Sequence, residues 1–344
     1  MMTPTEAAAS FFRRFAPQLI TLAVVLTLNT LLFPGFLDIG IANGRLYGSL
    51  IDILNRGAPV ALLAIGMTLV IATRGIDLSV GAVMAICGAA AASTVASSGS
   101  ATLAITVALC IGLACGLWNG ILVALLNIQP IIATLILMVA GRGIAQLITE
   151  GTILTFTHEG LIFMGSGSLF GLPMPVVLWL AAAIIAALLV RRTALGLLIE
   201  AVGINRRASS LAGVNAGVLI VAVYMISGLA AAVAGVIAAA DIRGADANNA
   251  GLWLELDAIL AVVIGGTSLL GGRFTLLGTA LGALIIQSIN TGILISGFPP
   301  EFNLVIKASI IIVILLIQSP AIQSLFTVLR RQPEGTAKRE LSKP

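Results

Sequence analysis

The sequence predicts an all-α polytopic membrane protein, and three observations carry that prediction. Of 344 residues, 59 % are apolar and only 9 % charged, whereas soluble domains hold roughly 45–50 % and about 25 %. Mean hydropathy is +1.13. The apolar residues fall in long, continuous Ala/Leu/Ile-rich runs, not in the alternating segments of about ten residues that build a membrane barrel. A membrane helix needs roughly 20 mostly apolar residues, which leaves room for about ten. A soluble enzyme, a nucleic-acid module, a disordered chain and a single-anchor receptor are excluded.

The first apolar run, 18–36, follows Arg13 and Arg14. It exceeds a signal-peptide core and no Ala-x-Ala site follows, so it reads as an uncleaved helix. Runs at 57–73 and 78–97 are separated only by Arg74-Gly-Ile-Asp77. Runs at 101–126, 129–148, 174–190 and 216–240 come next, then 256–270, 275–296 and 304–320. The 256–270 run is short for a perpendicular crossing. Three hydrophilic stretches interrupt the pattern. The first, 37–56, predicts a short surface helix around Gly44-Arg45-Leu46-Tyr47-Gly48; 149–173 is rich in Gly, Thr and Ser and holds the lone His158; 191–215 is the one substantial loop on the other side. No linker divides the chain. The expected organisation is an N-terminal segment 1–17, one membrane domain 18–328 and a charged tail 329–344. Gly112, Gly116 and Gly120, like Gly278 and Gly282, repeat at helical spacing, which lets helix backbones pack closely in lipid.

Ten spans put both termini on one side, and the charges test this. Thirteen of 18 basic residues fall on that side: 13, 14, 74, 191, 192, 206, 207, 273, 330, 331, 338, 339 and 343. Nine of 14 acids fall on the other half. The Lys/Arg bias assigns both termini to the cytoplasm. The pI of 9.3 is therefore a topology signal and implies no nucleic-acid partner; the partner of the apolar surface is the lipid bilayer.

Several chemistries are missing. There is no GxxxxGK[ST], HExxH or GxSxG, so the chain has no P-loop, zincin or hydrolase signature. Cys87, Cys110 and Cys115 lie in apolar stretches without metal spacing. No cofactor, metal or catalytic residue is expected. Ion-coupled carriers place acids near mid-membrane, and the predicted spans are nearly free of them. Asp77 is expected to cap the following helix or pair with Arg74, and Lys307 to snorkel or pair with Glu301. Uncharged Trp118, Asn119, Gln129, Thr134, Gln287 and Asn290 suit a neutral polyhydroxyl solute as a translocation path. The segment Glu200–Gly213 places Ala201, Ile204, Ala208 and Leu211 on one stripe. It reads as one amphipathic helix, hinged at Gly203 and stopped at Gly213. Such a helix lies on the membrane or docks into a partner.

Three motifs then resemble one family. Glu200-Ala-Val-Gly203-x-Asn205-Arg206-x-Ala208…Leu211-x-Gly213, Gly75-Ile-Asp77-Leu-Ser-Val-Gly81 and Gly265-Gly266-Thr-Ser-Leu-Leu-Gly271-Gly272 resemble the permeases of ribose/xylose/galactose-type sugar ABC importers over roughly 50–320. Segments 49–55, 58–67 and 240–257 are most similar to galactofuranose-importer permeases. The resemblance implies a permease subunit with about ten helices and a coupling helix, taking a monosaccharide inward by alternating access. It also implies a second, homologous permease, a separate ATPase engaging 200–213 and a periplasmic binding protein. Arg45, Arg56 and Arg243 are expected on the binding-protein face, and Asp77, Gly265, Gly266, Gly271 and Gly272 in gating. Ribose or another monosaccharide is the alternative cargo; an ion-coupled sugar carrier is the alternative mechanism. Two residues depart from the family pattern: Arg74 and Phe274 stand where glycine is usual.

Overall fold

The structure, a computed structural model, describes residues 4–42, 44–297 and 300–318. The 329–344 tail and the Glu301 side chain lie outside the described residues. The chain is mostly helical, as expected. In order it forms α1 (Pro4–Leu32), β1 (Gly40–Ala42), β2 (Arg45–Tyr47), α2 (Ser49–Ala72), α3 (Val80–Ser98), α4 (Ala101–Ala124) and α5 (Pro130–Ile148). Then come β3 (Leu154–Thr155), α6 (Glu159–Ser166), β4 (Ser168–Leu169), β5 (Leu172–Pro173), α7 (Met174–Arg192), α8 (Leu195–Ile204) and α9 (Arg206–Leu211). The chain closes with α10 (Ala216–Asp241), β6 (Gly244–Ala245), α11 (Leu254–Ile264), α12 (Leu276–Ile295) and α13 (Pro300–Gln318).

Among the described residues, eight helices are long and apolar enough to cross a membrane: α1 to α5, α7, α10 and α12. Burial orders them. The apolar windows of α2 and α3 are 78 % buried, against 22 % for α4 and α7 and 28 % for α5. The first two therefore form the centre, and the others leave apolar flanks for lipid or a partner. α10 packs along α4 through the predicted small-residue row. A Cβ at Gly116 would stand 2.3 Å from the Tyr224 carbonyl oxygen, and one at Gly112 2.5 Å from that of Gly228. These contacts are all within the chain. α1 starts at Pro4, not at 18, and is pinned to the bundle by Gln18 Nε2 on the Ile264 carbonyl (3.2 Å) and Asn29 Nδ2 on that of Ser288 (3.0 Å).

Two expected elements differ. The surface helix within 37–56 is replaced by an antiparallel hairpin, with Gly40 opposite Tyr47 and Ala42 opposite Arg45. Gly44 takes φ +73° in its turn, a conformation glycine adopts without strain, and the flanking Ile41 and Tyr47 favour strand. The expected span 256–270 is only the 11-residue α11. At 1.5 Å per residue this covers about half of a roughly 30 Å hydrocarbon layer. The preceding 242–253 stretch, which holds β6, packs beside α3. A second irregular stretch, 73–79, re-enters the bundle between α2 and α3. Irregular backbone is tolerated at membrane depth only where protein satisfies it, and both stretches meet that condition below.

Candidate functional site

α2 ends where three sequence motifs meet. The Ala72 carbonyl, in the last turn of α2, accepts the Gly272 N–H at 2.9 Å. Gly203 lies against the same carbonyl: a Cβ there would stand 1.9 Å from Ala72 O and 2.7 Å from the Gly272 nitrogen. Arg74 follows in the left-handed region, φ +64°. Its Nε donates to the Leu270 carbonyl at 2.9 Å and its Nη2 to that of Ile204 at 2.8 Å. A Cβ on Gly271 would press within 2.4 Å of Arg74 Cγ. Phe274 is buried in the apolar cluster holding Ala72, Ile199 and Val202. Both departures from the family pattern therefore sit in this one junction. Gly265 packs backbone to backbone on Gly278 of α12, and Gly266 turns the chain at φ +89°.

The 200–213 segment is not one helix. Asn205, with φ −155°, separates α8 from α9, and its Oδ1 accepts the Ala208 N–H at 3.0 Å. An Asn side chain that caps a new helix competes with continuing the old one. Of the expected apolar stripe, Ile204 is 59 % and Leu211 89 % exposed and Ala208 is exposed, while Val202, Gly203 and Ser209 are buried. Gly203 is a close-packing position against Ala72. Arg206 Nη2 donates to the Ala124 carbonyl at the end of α4, 2.8 Å, a favourable place for a cation. Glu200 is half-buried, Ala208 exposed, and Gly213 takes φ +87° just after α9. Ile204, Arg207, Ala208, Ser210 and Leu211 remain on the outer surface of this end.

Above this junction, Asp77 organises the 73–79 stretch. Its Oδ1 accepts the Ser79 N–H (3.1 Å) and hydroxyl (2.6 Å), and its Oδ2 accepts the Ser227 hydroxyl of α10 (2.9 Å). It is 2 % exposed and forms no ion pair with Arg74. Asn119 Nδ2 of α4 donates to Ser79 Oγ at 2.8 Å. Thr134 Oγ1 of α5 accepts the Leu78 N–H at 3.1 Å and reaches the Ile76 carbonyl. Asn119 and Thr134, two of the residues expected in a solute path, thus hold the 73–79 stretch.

The 242–253 stretch runs down beside α3. Gly81 meets Gly251 so closely that a Cβ would stand 2.3 Å from the Gly251 carbonyl oxygen. Arg142 of α5 donates to the Ala247 and Ala250 carbonyls, and Gln146 Nε2 to Asn248 Oδ1 at 2.8 Å. Glu255 and Asp246 are the acids within electrostatic reach of Arg142. The Asn249 amide and the Asn248 and Asn249 N–H groups donate to the Asp246 carboxylate. A cavity of about 250 Å³ opens between α3, α10 and this stretch. Sequence reasoning missed this group. The polar Gly244–Gly251 run before an undersized span was the available signal. Glu255 and Asp257 are only 7 % and 5 % exposed, because α11 begins inside the bundle.

A family model described as branched-chain amino acid transport system / permease component matches residues 49–315. The chain belongs to this permease family. Its described relatives include a galactofuranose transporter permease protein of Escherichia coli (strain K12), 61 % identical over 91 % of this chain and 92 % of that protein. A fructose import permease protein of Bifidobacterium longum is 45 % identical over 84 % of this chain and 82 % of that one. A ribose import permease protein of E. coli (strain K12) is 36 % identical over 93 % and 99 %. No solved structure matches the chain significantly. The protein is thus a multi-pass membrane permease component of a transport system, not an enzyme.

The remaining expected site residues of this permease are dispersed. Trp118 is 53 % exposed on α4, and Gln129 stands before α5 without a side-chain cap bond. Gln287 is buried beside Gly57 of α2, its amide 3.4 Å from Thr291, and Asn290 Oδ1 is buried without a partner. Asn119 and Thr134 meet at the 73–79 stretch, while Gln287 and Asn290 lie on α12. Arg45 donates to the Ser166 and Gly167 carbonyls, tying the hairpin to the end of α6. Arg243 is exposed at φ +54°, and Arg56 is exposed within α2. Lys307 Nζ lies 2.7 Å from both carboxylate oxygens of Asp257, so it pairs with α11; the expected Glu301 partner lies outside the described residues.

Proposed function

We propose that this permease carries galactofuranose from the periplasm into the cytoplasm across the inner membrane. It works beside a homologous, non-identical permease, with a separate ATPase acting on 200–213 and a periplasmic protein delivering the sugar. The basic end, with both termini and the 329–344 tail, faces the cytoplasm, and 18–328 act as one membrane domain. The similarity to a galactofuranose transporter permease over nearly the whole chain supports the cargo. The observation that carries the drive is the junction at Ala72. Gly203 and Ile204 of α8 touch the end of α2 and the 265–274 turn directly. A push on the exposed α8–α9 corner therefore reaches two central helices without an intermediary. Packed helices switch between discrete arrangements rather than bending continuously, which suits alternating access. Arg45, Arg56 and Arg243 lie on surfaces available to a delivering protein.

The test is reconstitution in liposomes with the cognate ATPase and binding protein, following ATP hydrolysis and uptake over furanose and pyranose sugars. Galactofuranose should stimulate both. Uptake of ribose or fructose alone would overturn the cargo, and uptake without ATP would overturn the drive. Ala208→Pro, which removes the N–H that Asn205 Oδ1 accepts at the start of α9, should abolish uptake while leaving membrane insertion intact.

A further inference from the structure

A second cavity, of about 240 Å³, opens at the basic end between the 73–75 turn, the α4–α5 turn and the α8–α9 corner. Its wall includes Arg74 and Arg206. A guanidinium has five N–H donors. Arg74 uses Nε and Nη2 on carbonyls and Arg206 uses Nη2, which leaves donors on both. No Asp or Glu lines this cavity, and the one ion pair among the described residues is Lys307–Asp257. Two guanidinium groups thus share a concave site without a lining carboxylate.

Three further features have the same sign. α5 begins at the cavity with Pro130, and neither Gln129 nor another side chain caps it. Pro130 has no N–H, so at this helix start only the dipole favours an anion. Asn127 and Gln129 add amide donors to the rim. Tyr224, in the cavity wall, is fully buried and its hydroxyl has no partner. A buried hydroxyl without a hydrogen bond is costly, so a ligand oxygen there would remove a penalty.

We propose that this cavity binds a phosphate group, held by Arg74 and Arg206 beside the start of α5. The same oxyanion chemistry is offered by an anionic phospholipid headgroup and by a small free phosphate. Occupancy would bridge the α8–α9 corner to the α4–α5 turn, and so stiffen the element on which the ATPase is proposed to act.

The experiment uses the full-length chain in detergent. One arm titrates inorganic phosphate at constant ionic strength and follows thermal unfolding. The other measures retention of phosphatidylglycerol against phosphatidylcholine by native mass spectrometry. Both arms are repeated on Arg206→Gln and on Tyr224→Phe, which keeps the ring and removes only the hydroxyl. Affinity should fall about tenfold in Arg206→Gln, the loss of one charged donor, and less in Tyr224→Phe. Preferential retention of phosphatidylglycerol, weakened in the variants, assigns the site to a lipid headgroup. Stabilisation by inorganic phosphate without lipid preference, weakened likewise, assigns it to a free phosphate. No response to either probe, or the same response in wild type and Tyr224→Phe and Arg206→Gln, overturns the proposal.

Discussion

Arg74 Nη2 donates to the Ile204 carbonyl at 2.8 Å, a bond that joins the turn after α2 to the last residue of α8. With Nε on Leu270, one side chain clamps the α8–α9 corner to the 265–274 turn. Hydrogen bonds from a charged donor are worth about 1.5–3 kcal/mol when buried, and exposure of Arg74 brings them to the low end. Its left-handed backbone costs roughly 1–2 kcal/mol, which glycine would recover. The two bonds together outweigh that gain, so Arg74→Gly should cost about 1–2 kcal/mol of stability. Its expected functional effect is on coupling: ATP hydrolysis persists in proteoliposomes while sugar moved per ATP drops several-fold. An unchanged ratio would show that the clamp carries no motion.

Gly203 and Gly213 look alike in the sequence but should respond oppositely. A Cβ at Gly203 would strike the Ala72 carbonyl at 1.9 Å, whereas one at Gly213 would meet nothing within 4 Å. Backbone cannot yield as a side-chain tip can, so Gly203→Ala should cost about 3 kcal/mol or more. Gly213→Ala pays only for its positive φ, about 1 kcal/mol. Thermal melts of the two variants in one detergent check this. Equal losses would mean that α8 can lift off α2.

The contrast shows what was legible beforehand. Long apolar runs, the small-residue row on α4 and the three motifs follow from local composition and spacing, and they survive in the fold. The meeting of those motifs at Ala72 does not, because residues 72, 203 and 272 touch only through tertiary packing. Periodicity also favoured a continuous 200–213 helix, since nothing in the apolar stripe registers the Asn205 cap. The undersized 256–270 run held a readable hint of a half-crossing. Its consequence, burial of Glu255 and Asp257, depends on where α11 begins relative to the bundle. In the sequence Arg74 reads only as a departure from the family pattern. In the fold it takes two carbonyls that a glycine could not reach.

Asp77 and its neighbours should separate charge from hydrogen bonding. In Asp77→Asn the remaining oxygen still accepts from Ser79, and the new amide can donate to Ser227 Oγ, an oxygen that also accepts. Asp77→Ala instead strands the Ser79 N–H and two hydroxyls inside the bundle, at about 1–3 kcal/mol for a buried group left unpaired. The alanine variant should unfold well below wild type, and the asparagine variant close to it. If both fall equally, the carboxylate charge itself is required.

Lys307 and Asp257 offer a complete cycle. The pair joins α13 to the half-crossing α11, with side chains 13 % and 7 % exposed and Nζ 2.7 Å from the carboxylate. Removing one partner leaves a buried charge without its counter-ion, which typically costs about 3–5 kcal/mol. Replacing both with apolar residues of similar volume is often neutral, because two desolvation penalties vanish together. Lys307→Met and Asp257→Leu should each destabilise strongly, while the double variant should lie near wild type in denaturant unfolding. Two losses that simply add would show that each residue has other partners. A stable double variant that still imports sugar would place the pair in α11 anchoring alone; a stable one that does not would give the ion pair a part in the transport cycle.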